Sequence, residues 1–329
     1  MNNIFDIQSE QNFQNLALET FRYQYKNIEI YQKFVDYLKV NVNEINSIEK
    51  IPFLPIEMFK NHQVVDKNFA PDLFFQSSGT TKMNLSKHYI SDEKVYQESI
   101  YRSFHQFIGK PEDFIFLGLL PSYLEKQNSS LIYMVDYLMK KSNCPENGYF
   151  LYNYQELLVL LEKLKDKKVI LFGVSFALLD FLDTIKSLNI TIENSENLII
   201  IETGGMKGRK EEMTKVELLL ILQNGFSTEK IYSEYSMTEL LSQAYSLGNN
   251  TYQCPNWMRV LVRNVEDPLS YENAGKTGAI NIIDLANIHS CAFIATQDLG
   301  KIVSEESYQF QVLGRIDHSD IRGCSLLVS

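Results

Sequence analysis

The sequence predicts an α/β fold, and three observations carry that expectation. Between Lys168 and Asn224 short apolar runs alternate with longer stretches of helical spacing, the pattern of parallel strands joined by crossover helices. Toward the C-terminus short strands take over, at Met258 to Val262, Gly278 to Ile283 and Tyr308 to Val312, separated by turn residues. No internal repeat or low-complexity linker interrupts the 329 residues. One continuous unit over 1–329 is therefore expected, with a helical segment at 1–50, a β-rich C-terminal part and a short tail at 314–329.

Composition narrows the function classes. Hydrophobic residues make up 45% and charged residues 22%, ordinary values for a soluble globular chain. A net charge of −10 without basic runs argues against nucleic-acid partners. The opening MNNIFDIQSEQ has neither a basic nor an apolar leader region, and no apolar run is long enough to span a membrane. Cys144, Cys254, Cys291 and Cys324 lack metal-like spacing, so a reduced, cytoplasmic setting is expected.

Each element has a local reason. Apolar residues at helical spacing from about Asn12 to Val40 predict two helices. Pro52 and Pro55 make Ile51 to Ile56 a rigid extended connector tethered to the core. Leu73, Phe74 and Phe75 read as a strand end, and Ser91-Asp92-Glu93 opens a helix reaching about Phe107, with Ser91 as its cap. A buried strand at Phe114 to Leu120 and helices at Ser129 to Met139 and Gln155 to Leu164 follow. Next come a strand at Lys168 to Phe172, a helix at Ser175 to Leu188 and a strand at Asn197 to Glu202. A helix at Glu211 to Asn224 closes the alternation.

Five polar stretches interrupt this framework. Ser77-Ser78-Gly79-Thr80-Thr81 combines a flexible glycine with hydroxyls that can surround phosphate oxygens, with Lys82 and Lys87 nearby; a polar hairpin loop would look the same. Gly204-Gly205 follows an apolar strand, where ligands approach the backbone of open α/β sheets, or simply turns the chain. In Tyr235-Ser236-Met237-Thr238-Glu239 a hydroxyl precedes a carboxylate, which suits phosphate and Mg²⁺; a helix start capped by Ser236, with Glu239 at its third position, fits as well. Asp298 in Thr296-Gln297-Asp298-Leu299-Gly300 reads as a turn former or a ribose ligand, and Arg315 in Gly314-Arg315-Ile316-Asp317 suits phosphate or ribose.

Taken in order, SSGTT, TGG, YSMTE, TQDLG and GRID resemble the core motifs of adenylate-forming enzymes: acyl-CoA synthetases, peptide-synthetase adenylation domains and firefly luciferase. Within that superfamily the chain is most similar to the acyl-protein synthetases of the bacterial bioluminescence fatty-acid reductase. IPFLPIEMFK, PSYLEKQNSSLIYMVDYL and LGRIDHSDIRGCSLLV carry the closer likeness, which covers about Ile51 to the C-terminus.

The resemblance implies a large adenylate-forming domain of parallel and mixed sheets packed with helices, without the mobile C-terminal domain of the larger enzymes and its catalytic lysine. It implies ATP and Mg²⁺ as cofactors. Ser77, Ser78, Gly79, Thr80 and Thr81 would form the phosphate loop, with Gly204 and Gly205 against the adenine and Tyr235 near the base. Thr238 would touch the α-phosphate, Glu239 would hold Mg²⁺, and Asp298 with Arg315 would bind the ribose. The implied reaction is attack of a carboxylate, a fatty acid in this family, on the α-phosphate, followed by acyl transfer to a thiol. The acceptor would be Cys324, a partner protein such as a reductase, an acyl carrier or coenzyme A; a packed apolar cysteine is the other reading of Cys324. Lys82 departs from the superfamily pattern, which has glycine there, so a stiffer loop is expected.

Two other classes compete. Gly173-x-Ser175-x-Ala177 lies between a strand and a helix, as a hydrolase nucleophile elbow requires, and Asp284 with His289 or Asp298 with His318 would be the partners. Alanine replaces the second glycine, however, and no HGGG run is present. A non-enzymatic acyl-carrier or scaffold role would require a degenerate site, against which the intact YSMTE and TQDLG argue.

Overall fold

The computed structural model describes residues 3–77, 85–121, 128–192, 196–204, 213–304 and 308–316. Helix α1 (Glu10–Asn27) starts at Ser9, whose hydroxyl accepts from Asn12 N at 3.2 Å, and α2 (Glu29–Tyr37) follows directly. The apolar face of α1 buries Phe13, Leu16, Ala17 and Phe21. Its buried Gln24 donates to the Asn287 carbonyl at 2.7 Å and accepts from Ala292 N at 3.0 Å, so the amide is bonded at both ends. The proline connector gives the short strand β1 (Leu54–Pro55), which pairs in parallel with the strand Phe293–Ser304 through Leu54 and Ile294. The tether expected from the sequence is thus a sheet pairing.

After the short helix α3 (Met58–Asn61), strands β2 (Leu73–Gln76) and β3 (Lys87–Ile90) form a separate antiparallel pair, with Phe75 opposite His88. Phe75 is the one buried member of its aromatic run; Phe74 stays half-buried under the Lys87 ammonium. Helix α4 (Glu93–Phe107) is capped by Asp92, not Ser91: the Asp92 carboxylate accepts from Lys94 N at 2.9 Å, the stronger acceptor taking the cap.

Strands and helices then alternate, with two strands, β5 and β8, beyond those the sequence predicts: β4 (Ile115–Leu119), α5 (Ser130–Ser142), β5 (Gly148–Tyr149), α6 (Tyr154–Lys163), β6 (Val169–Gly173), α7 (Ser175–Ser187), β7 (Leu198–Glu202), α8 (Lys215–Phe226) and β8 (Ile231–Tyr235). Every residue of β4, β6 and β7 is buried, as strands covered on both faces require. Helix α8 starts at Lys215, where Thr214 and Glu217 form a reciprocal capping box; Glu211 and Glu212, at the start of the expected span, lie outside the described residues.

The remaining strands are antiparallel: β9 (Ala244–Ser246), β10 (Tyr252–Gln253), β11 (Met258–Arg263), β12 (Gly278–Asp284), β13 (Phe293–Ser304) and β14 (Gln309–Arg315). They continue the parallel strands edge to edge in one twelve-stranded sheet, in the order β11-β12-β13-β14-β10-β9-β8-β7-β6-β4-β5, with β1 on the side of β13. One expectation is corrected here. Thr296 to Gly300 lies inside β13 and is not a turn, because β12 and β14 pair with β13 on its two sides.

Candidate active site

The strand register sets the frame of the site. Gly173 lies opposite Glu202, and Glu202 opposite Ser233, so β6, β7 and β8 end side by side. Ligands in α/β sheets sit at these carboxyl ends. Gly204 leaves β7 with φ +76, and a Cβ there would meet nothing within 4 Å; the turn demands glycine for its backbone, not for space.

Tyr235 at the end of β8 donates from its hydroxyl to Asp298 Oδ2 at 2.8 Å. Burial, then the charge of Asp298, holds this phenol well above its ordinary pKa, so it stays a donor. Arg315 stands opposite Asp298 in the β13–β14 ladder, its Nε 3.4 Å from Asp298 Oδ1. Three residues from three separate motifs therefore meet at one carboxylate.

The segment after Tyr235 is a turn, not the capped helix that the sequence allows. Leu240 N donates to the Met237 carbonyl at 3.0 Å, and outside groups hold the rest. His88 Nδ1, carrying its proton, lies 2.9 Å from the Thr238 carbonyl, and Asn287 donates to the Glu239 carbonyl at 2.8 Å. Leu241 N and Ser242 N donate to Asp284 Oδ2 at 2.8 and 3.0 Å. These tertiary bonds outcompete the helix that local capping chemistry would favour. Burial keeps His88 neutral, pushing its pKa down to about 4.

Glu239 is buried, and burial raises its carboxyl pKa against the opposing pull of Ser86, Lys60 and Arg315. Ser86 also bonds through its backbone to Ser77: Ser77 N donates to the Ser86 carbonyl at 3.1 Å, and Ser86 N to the Ser77 hydroxyl at 3.0 Å. The base of the hydroxyl-rich loop is thereby brought to Glu239. Ser78, Gly79, Thr80, Thr81, Lys82, Gly205, Asp317, His318 and Cys324 lie outside the described residues.

Sequence reasoning missed four groups in this region. Glu202, fully buried, accepts from Gly204 N at 2.6 Å and from the Ser175 hydroxyl, and pairs with the Lys215 ammonium. Burial pushes this carboxyl up, but the charge of Lys215 and these hydrogen bonds outweigh it and hold the pKa below the ordinary value. Tyr252 of β10 lies within electrostatic reach of Lys215, and its ring meets Tyr235 edge to face, with ring centroids 5.8 Å apart. Glu234 is buried with Oε1 unpaired among the described residues, and burial raises its pKa to about 7. The spacing of 13 residues between Glu202 and Lys215 gave no signal, since nothing local relates a strand end to the start of the next helix.

Ser175 does not have the surroundings of a hydrolase nucleophile. Its hydroxyl is 1% exposed and donates to a carboxylate, not to a histidine. Asp284 is saturated by backbone and Ser242 donors, and His289 faces Asp66 at 3.4 Å.

The architecture is that of adenylate-forming ligases. It resembles 2-hydroxyisobutyryl-CoA ligase in complex with 2-HIB-AMP and CoA in the thioesterification state, at TM-score 0.73 and 12% identity, covering 95% of this chain and 70% of that one. It also resembles ATP-bound MatB from Rhodopseudomonas palustris, at TM-score 0.55 and 16% identity, covering 77% of this chain and 49% of that one. A search of curated proteins returned no match. Over residues 4–329 the sequence matches the family described as Acyl-protein synthetase, LuxE, and the chain belongs to that family. It is an acid–thiol ligase that uses ATP to activate a carboxylic acid as an acyl adenylate and passes the acyl group to a thiol. No described helix is long and apolar enough to cross a membrane.

Proposed function

We propose that this acyl-protein synthetase activates a fatty acid with Mg²⁺-ATP in the cytoplasm. In this reading the acyl group then passes to Cys324 and on to a partner protein such as a reductase, an acyl carrier or coenzyme A. The observation that carries the nucleotide site is the meeting of Tyr235 and Arg315 at Asp298. A carboxylate oriented by Tyr235 and Arg315 is the group that accepts from a pair of ribose hydroxyls, and the Tyr235 ring stands beside it. Gly204 would let the backbone approach the adenine.

Glu239 fits a magnesium ion that arrives with phosphates. It is a buried carboxylate with no ion pair to a described residue, and Mg²⁺ needs only one or two protein carboxylates when phosphates complete its shell. ATP supplies the electrophilic α-phosphorus and the pyrophosphate leaving group, and Mg²⁺ neutralises phosphate charge. Thr238, its carbonyl pinned by His88, would position an α-phosphate oxygen, and Ser77 to Thr81 would enclose the outer phosphates. Charge builds on phosphate in this step, so these residues act by positioning and electrostatics.

An apolar chain is supported by Phe75, Tyr96 and Tyr133, whose rings pack 5.2 to 5.3 Å apart at the base of the same hairpin. A cytoplasmic setting is supported by the free thiols of Cys144, Cys254 and Cys291. ATP–pyrophosphate exchange across acids of increasing chain length, with and without Mg²⁺, tests the proposal. Exchange should peak with fatty acids and vanish under chelation; exchange confined to short polar acids would overturn the substrate assignment.

A further inference from the structure

A buried ion pair stabilises a fold poorly compared with apolar residues of the same volume, so one placed where a ligand binds calls for another reason. Glu202 brings such a buried charge, and its partner Lys215 is half-buried, with 21% of its side chain exposed. Glu202 is the last residue of β7, and its side chain is 1% exposed. Its Oε1 accepts from Gly204 N and from Ser175 at the start of α7, while Oε2 meets Lys215 at the start of α8. One carboxylate thus joins a strand end, two helix starts and the glycine turn. The Lys215 ammonium also lies within electrostatic reach of the Tyr252 hydroxyl. The Tyr252 ring stacks on Phe310 with centroids 5.4 Å apart and meets Tyr235, which bonds to Asp298.

We propose that the Glu202–Lys215 pair is a positioning element of the nucleotide site, holding the Gly204 turn and the Tyr252–Tyr235 aromatic wall in fixed relation to each other. The inference rests on the proposed nucleotide site. Neither residue need touch ATP. Glu202 acts through Gly204, and Lys215 acts through Tyr252, so loss of the pair loosens both sides of the site together.

Glu202→Gln is the first test. It keeps the size and one acceptor oxygen but sets an amide donor against the Lys215 ammonium. The KM for ATP in pyrophosphate exchange should rise roughly tenfold, with kcat and the KM for the acid changed far less, the mark of lost uniform binding for one substrate. Lys215→Met alone leaves Glu202 charged, buried and unpaired, and misfolding would obscure its kinetics. The double variant Glu202→Gln/Lys215→Met removes both charges and should fold while retaining the raised KM for ATP. Tyr252→Phe, which deletes only the hydroxyl, should move the KM for ATP in the same direction by less.

Lowered thermal stability with a wild-type KM for ATP in Glu202→Gln and the double variant would make the pair merely structural. Asp298→Asn, measured in parallel, separates the two levels. If Asp298→Asn raises the KM for ATP and Glu202→Gln does not, the positioning inference fails and the site stands. If neither variant moves it, the site assignment itself fails.

Discussion

The Tyr235 hydroxyl donates to Asp298 Oδ2 at 2.8 Å across a separation of 63 residues. The bond joins the end of the last parallel strand, β8, to the middle of the antiparallel β13. Between these strands in the sheet lie β9, β10 and β14, so the contact depends on the curvature of the sheet and not on adjacent pairing.

Asp298→Asn keeps the shape of the side chain but turns one acceptor into a donor. It should raise the KM for ATP with a smaller loss of kcat, because ground state and transition state lose the same contact. Steady-state pyrophosphate exchange at varied ATP measures both constants. A variant with normal ATP affinity and only reduced stability would leave Asp298 as a strand residue holding Tyr235 and Arg315.

Glu239→Ala should slow adenylation by roughly a hundredfold or more, about 3 kcal/mol of barrier, and weaken the response to added Mg²⁺. Unchanged exchange in a folded variant would sink the metal assignment.

The Glu234 carboxyl has its pKa raised by burial to about 7, from an ordinary value of 4.5. The folded state therefore holds this proton more tightly than the unfolded chain does. Its contribution to stability is complete below the unfolded pKa and is lost as pH rises through about 7. The size is about 3 kcal/mol, at 1.36 kcal/mol per pKa unit. Urea unfolding at pH 5 and pH 8 should show wild type losing more stability than Glu234→Gln over that interval. Parallel losses in the two proteins would contradict the assignment.

Ser175→Ala removes a donor from the buried Glu202 carboxylate and should cost about 1–3 kcal/mol of stability. Wild type should resist fluorophosphonate labelling, since the Ser175 hydroxyl is buried and donates to the Glu202 carboxylate. Stoichiometric labelling lost in Ser175→Ala would restore the hydrolase reading.

Cys324→Ser should retain pyrophosphate exchange and lose hydroxylamine-sensitive labelling by a radioactive acid. An acyl adenylate is a mixed anhydride that a thiolate attacks directly, and Arg322, two positions away, can lower the thiol pKa. Labelling of the serine variant at the wild-type level would place the acceptor elsewhere.

Much of this protein was legible from its residues alone. The apolar runs from Ile115 to Leu119, Val169 to Gly173 and Leu198 to Ile201 are strands because short runs with no polar side chain are buried on both faces, and the helices between follow their 3.6-residue period. The order of the five polar stretches pointed to adenylate chemistry before any contact was visible. Only the tertiary structure decided that Thr296 to Gly300 is strand, since two flanking strands satisfy a backbone that its own residues would let turn. It also drew Ser236 to Glu239 out of a helix. The pairing of Glu202 with Lys215 and of Tyr235 with Asp298 is likewise a product of the sheet. Hydrophobic period and capping act over a few residues and are written in the chain, whereas the partner of a buried polar atom is fixed by strand register and crossover. No local pattern carries that information.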